Sequence, residues 1–443
     1  MKKILIITHY IAPIQAVASI RWSKISKYLK LNHDVEIAIL TDEKNYNDEN
    51  MGIDLCKNDP LLLDHKDYFD KYYEVPYSFG YKLYRRKLLQ FKKKANRDIG
   101  YHKNTVTLTA EKKSLKKRIK ETESFLRVDY LENRIIANKI YKDIKNRDLD
   151  YDLIVSTFSP IWTHLVARKI KQKNRNIAWL ADFRDSYADD VADCLVAYKY
   201  HKKFVAKYCK DADYITRVNE EMVLFENDKQ KPITLYNGYD PDEKMPYCKP
   251  QKFSFVFTGL IVGDERDFTE LFIAIKELCK EGKIDIEDID FHYAGPSSDV
   301  LLGQANACGM QNIVVDHGLV SRKESLELQS HAAVLLMANP NTNTLKCEWS
   351  GKMYEYMMAE KPIVYLVSGN VPYSLPSKNI GKLDGFCYEY LRHDELHTQL
   401  KEYILDKYEY WKENGDVVAN MELDYVSQFS YRNIAEKMWK IIN

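Results

Sequence analysis

The sequence predicts an α/β protein with two domains, each built on a parallel sheet. At 443 residues the chain is too long for one ordinary hydrophobic core, so two domains are expected. The N-terminus reads as strand, loop, helix and strand, and the same order begins again at Phe253. Between the two series, the stretch from Asp240 to Pro250 is rich in proline and charged residues, which is the composition of a linker.

The first series opens with an apolar run from Lys3 to Thr8, which predicts a buried strand. Apolar residues then recur at helical spacing from Ser19 onward, and Asp34 to Thr41 predicts the next strand. A strand–helix–strand unit builds a parallel sheet that binds ligands at the carboxyl ends of its strands. Arg21 is a candidate contact for an anion there, and a structural arginine is the alternative.

The net charge is +1, but the charge is unevenly distributed. Between Lys82 and Lys120 there are 15 Lys or Arg residues and two acids, so this part carries +13 and the rest of the chain −12. Basic residues alternate with aromatic and aliphatic ones across 60–125, a pattern that suits an anionic membrane surface. We predict that 81–120 contacts such a membrane. A solvated helical insertion and a nucleic-acid segment are the alternatives, and we expect no nucleic acid as a partner.

Charged residues follow one of the later strands of the first domain directly. That strand is predicted at Ile177–Ala181, and Asp182, Arg184 and Asp185 come next. Since the carboxyl ends of parallel strands form the ligand-binding edge, we take these residues as site candidates, with Asp185 as the catalytic one. An Asp–Arg pair that only ties loops together is the alternative. Other elements predicted in this domain are a helix at Leu126–Asn146 and strands at Asp152–Thr157, Tyr214–Val218 and Ile233–Tyr236.

The second series begins with a strand at Phe253–Thr258 and continues through a loop that contains Gly259, Gly263 and Arg266. A helix is predicted from Phe268 to Glu277. Strands at Asp290–Ala294 and Ile313–Val315 follow, and the second of these leads into the loop Asp316–Val320 with His317 and Leu319. The predicted order again places loops at the ligand-binding edge of a parallel sheet.

The stretch from Ser350 to Pro362 is the strongest candidate for the chemistry. Ser350 suits a helix N-cap, and Lys352, Glu355 and Tyr356 lie at i, i+3 and i+4 on one helix face. A helix N-terminus together with a lysine is an arrangement that suits a phosphate. The alternative is an ordinary amphipathic helix with a solvated Lys–Glu pair. The flanking elements are predicted as a strand at Ala332–Met337, a polar loop at Asn339–Thr344 and a strand at Ile363–Val367.

The segment GKMYEYMMAEKPI, residues 351–363, resembles the donor-binding motif of retaining glycosyltransferases with the GT-B fold. The resemblance is to the family 4 group, which builds bacterial polysaccharides and glycolipids such as capsule and lipopolysaccharide. The turn Ser-Thr-Phe-Ser-Pro at 156–160 and the segment after Ala181 resemble the N-terminal acceptor domain of that group.

The resemblance implies two Rossmann-like domains that face a cleft, and a C-terminal helix that crosses back to the first domain. We expect an acceptor domain at 1–245 with the basic aromatic insertion around 60–125, a nucleotide-sugar domain at 246–424 and the crossover helix at 425–443.

The resemblance also implies roles for site residues. Glu355 would hold the ribose of a nucleotide-sugar, and Ser350 and Gly351 at the helix start would hold the diphosphate. Arg266 and Lys352 would neutralise the diphosphate. Gly259 belongs to the donor-binding loops, and the segment with His317 and Leu319 would pack against the base. For the His317 side chain we favour the alternative, an ordinary loop histidine.

The motif of the family has a second acid before Glu355, with seven residues intervening, which contacts the donor sugar. In this sequence Cys347 stands at that position and Glu348 lies one place away. Glu348 is therefore the candidate for this contact if the loop is shifted.

The function implied is transfer of a sugar from a nucleoside-diphosphate sugar to a hydroxyl of a saccharide or lipid-linked saccharide, with retention and without a metal or other cofactor. The alternatives are a sugar-nucleotide epimerase or phosphorylase of the same fold and a non-catalytic nucleotide-binding assembly protein. The eight cysteines have no paired spacing, and no apolar run approaches the length of a membrane span. We expect a cytoplasmic location, with peripheral attachment to the inner face of the cell membrane.

Overall fold

The chain forms two compact units. The computed structural model describes residues 1–14, 17–43, 67–84, 119, 122–123, 126–147, 149–184, 200, 203, 207–220, 222, 231–243, 245–247, 249–261, 265–342, 346–347 and 349–443. The first unit contains the described residues from Met1 to Gly238 together with Tyr431–Asn443, and the second contains Tyr239–Ser430. The sequence places the limit between the domains a few residues later, at 245.

The first unit is built on a seven-stranded parallel sheet with the order β3-β2-β1-β4-β5-β6-β7. The central strands are apolar on both faces, as expected for a parallel sheet covered on both sides. The first six strands in this order, from β3 to β6, follow the order 3-2-1-4-5-6 of a doubly wound Rossmann sheet. The strands are β1 (Lys2–Ile7), β2 (Val35–Asp42), β3 (Lys71–Val75), β4 (Leu153–Phe158), β5 (Ala178–Phe183), β6 (Tyr214–Arg217) and β7 (Ile233–Thr234).

Helices cover both faces of this sheet. They are α1 (Val17–Asn32), α2 (Asn133–Ile144) preceded by a π-helical stretch (Leu126–Glu132), and α3 (Trp162–Lys173). The C-terminal helix (Tyr431–Ile442) also belongs to this unit. Its residues Ile434, Ala435 and Met438 are buried in one core with Trp22 and Ile25 of α1. The chain therefore returns to the first unit at its end.

The second unit is built on a six-stranded parallel sheet with the order β10-β9-β8-β11-β12-β13. The strands are β8 (Phe253–Thr258), β9 (Ile289–Ala294), β10 (Val314–Asp316), β11 (Val334–Asn341), β12 (Ile363–Gly369) and β13 (Phe386–Glu389). The helices are α4 (Thr269–Lys280), α5 (Ser298–Cys308), α6 (Arg322–Ser330), α7 (Gly351–Ala359), α8 (Leu375–Asn379), α9 (His393–Asn414) and α10 (Leu423–Ser427). Short 3-10 turns lie at Ile286–Asp288, Gln311–Ile313, Ile380–Leu383 and Tyr390–Arg392.

The structure departs from the sequence prediction at element ends. The predicted loop from Asn339 begins too early, since Asn339–Asn341 continue β11 and pair with the end of β12. The single crossover helix predicted at 425–443 is two helices, because the Tyr239 backbone N–H donates to the Phe429 carbonyl between them and the Phe429 ring packs against Tyr354. The fold class itself, two Rossmann-like domains with a C-terminal helix that returns to the first, is confirmed.

Candidate functional site

Lys352 and Gly259 form the centre of the candidate site. Lys352 lies in the first turn of α7, and Gly259 follows β8 with a φ of +138°, a conformation that L-residues rarely adopt. A Cβ built on Gly259 would lie 2.4 Å from Lys352 Nζ and 2.6 Å from Cε. The lysine ammonium therefore rests directly on the backbone of Gly259, and glycine is needed for both its conformation and its lack of a side chain.

The loop around Gly259 is fixed by hydrogen bonds. Its N–H donates to the Ala294 carbonyl at 2.7 Å, and its carbonyl accepts from the Tyr293 hydroxyl at 2.9 Å. The Gly295 N–H then donates to the Gly318 carbonyl at 2.8 Å. These hydrogen bonds hold together the loops at the carboxyl ends of β8, β9 and β10, and Lys352 packs against the backbone that they fix.

Arg266 brings a second positive charge to Lys352. Burial lowers the pKa of Lys352, the Glu355 carboxylate opposes that shift, and the Arg266 guanidinium lowers this pKa further. Burial also lowers the pKa of Arg266. Among the described residues, neither side chain has a carboxylate within salt-bridge distance. Two desolvated cations near each other, with no carboxylate of the described residues at salt-bridge distance, form a site that favours an anion.

The backbone at Arg266 is held from two sides. Gln304 Nε2 of α5 donates to the Arg266 carbonyl at 3.1 Å, and its Oε1 accepts from the Phe268 N–H at 3.1 Å. The Ser368 hydroxyl, near the end of β12, donates to the Glu265 carbonyl at 2.7 Å. The guanidinium itself donates to the carbonyl of Leu260. Arg266 is therefore positioned by its neighbours on both sides of the loop.

The start of α7 adds polar groups to the same site. Ser350 precedes the helix with extended backbone, but its side chain makes no capping hydrogen bond. Its Oγ is buried and has no hydrogen-bond partner in the part of the chain that the structure describes. Gly351 is the first residue of the helix. Since the first N–H groups of a helix lack internal partners, this end offers donors to a ligand.

Glu355 is oriented by two side chains of α6. Gln329 Nε2 donates to Glu355 Oε2 at 3.0 Å, and Arg322 Nε lies 3.7 Å from Oε1. The same Gln329 amide lies 3.1 Å from the Thr258 hydroxyl and is fully buried. Sequence reasoning missed Gln329 and Arg322, because both lie on another helix and no local spacing connects them with Glu355.

The loop after β10 holds His317 and Leu319. The His317 N–H donates to the Tyr293 carbonyl at 2.8 Å, and its ring stacks on His292 with Nε2 2.9 Å from His292 Nδ1. Leu319 is 80% exposed. The His317 ring thus has a structural partner, as the ordinary-histidine interpretation requires, while the loop backbone is tied to the floor of the site through Gly318.

Cys347, at the position of the second acid expected before Glu355, is buried. Its N–H donates to Asn341 Oδ1 at 3.1 Å, and its Sγ lies 3.5 Å from the Tyr365 hydroxyl. Asn339 Nδ2 donates to the same hydroxyl at 2.6 Å. Cys347 therefore packs against β11 and β12. Glu348, the predicted substitute, lies outside the described residues.

In the first unit, Arg21 and Asp182 form a buried bidentate pair. Arg21 Nη2 donates to Asp182 Oδ1 at 2.8 Å and Arg21 Nε to Oδ2 at 3.1 Å. The carboxylate also accepts from Trp22 Nε1, Thr157 and Thr216. Burial opposes ionisation, but Arg21 first and these donors next hold the pKa of Asp182 below its usual value.

The Arg21 guanidinium also donates to the carbonyls of Leu235 and Tyr236. Arg21 is therefore a structural arginine and not an anion contact, because its guanidinium N–H groups donate to partners within the fold. Arg184 donates to the Ser159 carbonyl at 2.7 Å and lies over the Tyr10 ring. Asp185, the predicted catalytic residue, lies outside the described residues.

His9 and Asp42 form a pair that sequence reasoning missed. His9 follows β1 and Asp42 ends β2, and His9 Nδ1 lies 2.7 and 2.8 Å from the two oxygens of the buried Asp42 carboxylate. The Tyr77 hydroxyl donates to the same carboxylate. The signal that could have found this pair is the rule used for Asp182, a polar residue directly after a buried parallel strand.

His164 is buried on α3 beneath the same sheet. Its Nδ1 lies 2.7 Å from the Ser156 hydroxyl, which also accepts from Trp179 Nε1 at 2.8 Å. Burial lowers the pKa of His164 to about 3. The ring is thus neutral and serves as a packed core group.

The basic segment 81–120 lies almost entirely outside the described residues, so its membrane contact stays a prediction. In the described part of the chain, every helix is too short or too polar to cross a bilayer.

Sequence comparison found no matching family model and no matching curated protein. Solved structures, in contrast, match over nearly the whole chain. The lipopolysaccharide outer core galactosyltransferase WaaB in its apo form is 12% identical, with 99% of each chain covered and a TM-score of 0.51. TarM is 13% identical, with 100% of this chain and 99% of that chain covered and a TM-score of 0.55.

The pneumococcal O-GlcNAc transferase GtfA, in complex with UDP and GlcNAc, is 11% identical, with 100% of this chain and 98% of that chain covered and a TM-score of 0.53. At these identities the likeness shows the fold, which is GT-B.

Proposed function

We propose that the protein is a glycosyltransferase that moves a sugar from a nucleoside-diphosphate sugar to a hydroxyl group. The observation that carries the proposal is the pair of cations at Gly259. The Lys352 ammonium rests on the Gly259 backbone near Arg266, and no carboxylate of the described residues lies within salt-bridge distance of either one. A diphosphate is the anion expected at a helix N-terminus in this fold.

The chemistry of the reaction explains the need for this arrangement. When the glycosidic bond to the nucleotide breaks, negative charge develops on the diphosphate leaving group. Lys352, Arg266 and the free N–H groups of α7 can stabilise that charge without a metal ion. A single well-placed donor of this kind contributes about 3–4 kcal/mol to the transition state. We therefore propose Lys352 and Arg266 as the catalytic residues of the donor site.

Glu355 is proposed to bind the ribose of the nucleotide. A carboxylate accepts hydrogen bonds from two vicinal hydroxyl groups, and Gln329 and Arg322 fix its orientation. We propose that the base packs against the backbone of the loop from His317 to Leu319, which is tied to Gly295. Ser350 and Gly351 would contact the diphosphate, and Glu348 the donor sugar.

The acceptor is proposed to bind at the carboxyl edge of the first sheet. The groups available there are the His9–Asp42 pair and Arg184, together with Asp185, which the sequence predicts. A histidine held by a buried carboxylate is suited to accept a proton from an acceptor hydroxyl. We propose a saccharide or lipid-linked saccharide as the acceptor, and retention at the anomeric carbon, on the resemblance of the 351–363 motif to the family 4 group.

The basic segment 81–120 supports a membrane-bound acceptor. With 15 Lys or Arg against two acids between Lys82 and Lys120, we propose that it holds the enzyme on the inner face of a bacterial cell membrane during synthesis of a cell-surface polysaccharide. The protein should sediment with anionic vesicles at low salt and be released at high salt. Equal sedimentation with neutral vesicles, or none with anionic ones, would contradict this part of the proposal.

The donor site is tested by thermal unfolding with uridine, guanosine, cytidine and deoxythymidine diphosphates. A ligand at about one hundred times its dissociation constant adds close to 3 kcal/mol. We expect one nucleotide to stabilise the wild type and Lys323→Ala equally, and Lys352→Ala by much less. Lys323 is a matched control because it lies on α6 of the same unit with 75% of its side chain exposed. Stabilisation of Lys352→Ala equal to that of the wild type would refute the site.

A further inference from the structure

We propose that Glu270, His393 and His397 bind a divalent transition-metal ion, zinc in particular, in the second unit. Glu270 lies in the first turn of α4, and the two histidines are four residues apart at the start of α9, so both rings lie on the same helix face. One ligand atom from each of the three residues lies within 4.8 Å of the others. The site differs from the proposed donor site in all of its residues and goes beyond the proposed function.

The distances in this cluster fit a tetrahedral metal. Glu270 Oε2 lies 3.3 Å from His393 Nδ1 and 3.3 Å from His397 Nδ1. Zinc binds imidazole nitrogen at about 2.0–2.1 Å and carboxylate oxygen at about 2.0–2.2 Å, which places ligands at tetrahedral angles about 3.4 Å apart. The separations from Glu270 to each histidine therefore already match those around one ion, and the two histidine ligand atoms lie within 4.8 Å of each other.

The hydrogen bonding of His397 points to a cation between these groups. His397 Nε2 lies 3.1 Å from Glu277 Oε2, a carboxylate that also accepts from Lys401 Nζ at 2.9 Å. A neutral His397 must therefore carry its proton on Nε2 and turn the lone pair of Nδ1 toward Glu270. In the described part of the chain, His397 Nδ1 and Glu270 Oε2 are both buried and lack a hydrogen-bond partner.

Two buried acceptors that face each other at 3.3 Å repel unless a positive charge lies between them. A metal ion supplies that charge, and the pattern of a carboxylate that holds the far nitrogen of a ligating histidine is common around zinc. The remaining possibility is a proton on both nitrogens of His397, which makes it a cation between Glu270 and Glu277. The experiment below distinguishes the two.

Tyr388 completes the surroundings of the cluster. Its hydroxyl lies 2.6 Å from His393 Nδ1 and also interacts with the Glu270 carboxylate. When Nδ1 binds a metal, the hydroxyl can donate to Glu270 instead. Because the His393 side chain is 49% exposed, a water molecule has access to the fourth coordination position. The ion would tie the first turn of α4, which begins just after Arg266, to the start of α9.

The experiment is metal titration of the full chain after treatment with a chelator. We expect one Zn²⁺ per chain, a higher melting temperature on addition, and a Co²⁺ spectrum typical of tetrahedral nitrogen and oxygen ligands without thiolate charge transfer. Glu270→Gln, His393→Gln and His397→Gln should each weaken binding by more than about 100-fold, and Glu277→Gln by about 10- to 100-fold.

His331→Gln is the matched control, since it makes the same change in the same unit away from the cluster, and it should bind like the wild type. No Zn²⁺ binding by the folded wild type would overturn the proposal in favour of the doubly protonated His397. Binding that survives all three ligand variants, or a Co²⁺ spectrum with thiolate bands, would equally overturn it. Neither the titration nor its outcome depends on sugar transfer. A failure to bind zinc therefore leaves the proposed function untouched, and a failure of the proposed function leaves the metal site untouched.

Discussion

Replacing Gly259 with alanine should weaken nucleotide binding at the proposed donor site while the protein remains folded. The new Cβ would lie 2.4 Å from Lys352 Nζ, and carbon and nitrogen atoms in contact are normally about 3.5 Å apart. The atoms it meets are the far end of a flexible side chain, so the ammonium moves away by about 1 Å or more and the fold survives. The φ of +138° adds a backbone cost of about 1–3 kcal/mol for a residue other than glycine.

The expected effect on binding follows from the contact that is lost. A hydrogen bond to a charged group contributes about 1.5–3 kcal/mol, so affinity for the nucleoside diphosphate should fall by about 10- to 150-fold. Isothermal titration calorimetry measures the affinity, and thermal unfolding checks that Gly259→Ala is folded at the temperature of the titration.

Gly303→Ala is the matched control. Gly303 lies inside α5, and no atom lies within 4 Å of a Cβ built there. This variant should bind nucleotide like the wild type and gain about 0.5–1 kcal/mol in stability, because alanine is preferred to glycine within a helix. An unchanged affinity in folded Gly259→Ala would refute the reasoning that Lys352 rests on this glycine and contacts the diphosphate.

Three further predictions concern charge and pH. Burial and Arg266 lower the pKa of Lys352 below 10.5, so nucleotide affinity should fall as alkaline pH removes the ammonium charge. Lys352→Ala should lose that pH dependence, and binding titrations over an alkaline series would contradict this if both proteins behaved alike. Arg21→Met leaves Asp182 buried without its cation and should lower the free energy of unfolding in denaturant by about 3–5 kcal/mol. Arg147→Met, whose arginine side chain is 46% exposed, should lower it by less than about 0.5 kcal/mol. Equal losses would show that the Arg21–Asp182 pair is not structural. An unfolded histidine gains a proton below pH 6.5 but folded His164 only near pH 3, so the free energy of unfolding should fall by about 1.4 kcal/mol per pH unit between these values. His164→Asn should flatten this slope in thermal melts at acid pH, and an identical slope would contradict the prediction.

Much of the fold could be predicted because each domain repeats one local pattern. Apolar runs such as Phe253–Thr258 and Ile363–Val367 are buried on both faces and bounded by polar loops, so strand positions are evident from composition. Element ends were less predictable. Asn339–Asn341 have the composition of a loop, yet they extend β11 because the register with Val367–Gly369 supplies their backbone partners.

The geometry of the candidate site was predictable where one helix carries its residues. Lys352 and Glu355 lie on the same face of α7, as their spacing indicates. Gly259 is needed because a side chain there would meet the Lys352 ammonium. The residues that were missed, Gln329, His9 and Asp42, act through partners far away in the sequence. The metal cluster has the same origin, since the spacing of His393 and His397 is visible but Glu270 lies 123 residues before the first of them.

The position of a bound diphosphate tests the proposed donor site most directly. The measurement is a crystal structure of the protein with the nucleoside diphosphate that the thermal panel selects. We expect a phosphate oxygen within about 3 Å of Lys352 Nζ and another at Arg266, with the ribose hydroxyls at Glu355. A diphosphate bound elsewhere in the chain, with Lys352 still resting on Gly259 and uncontacted, would contradict the central claim.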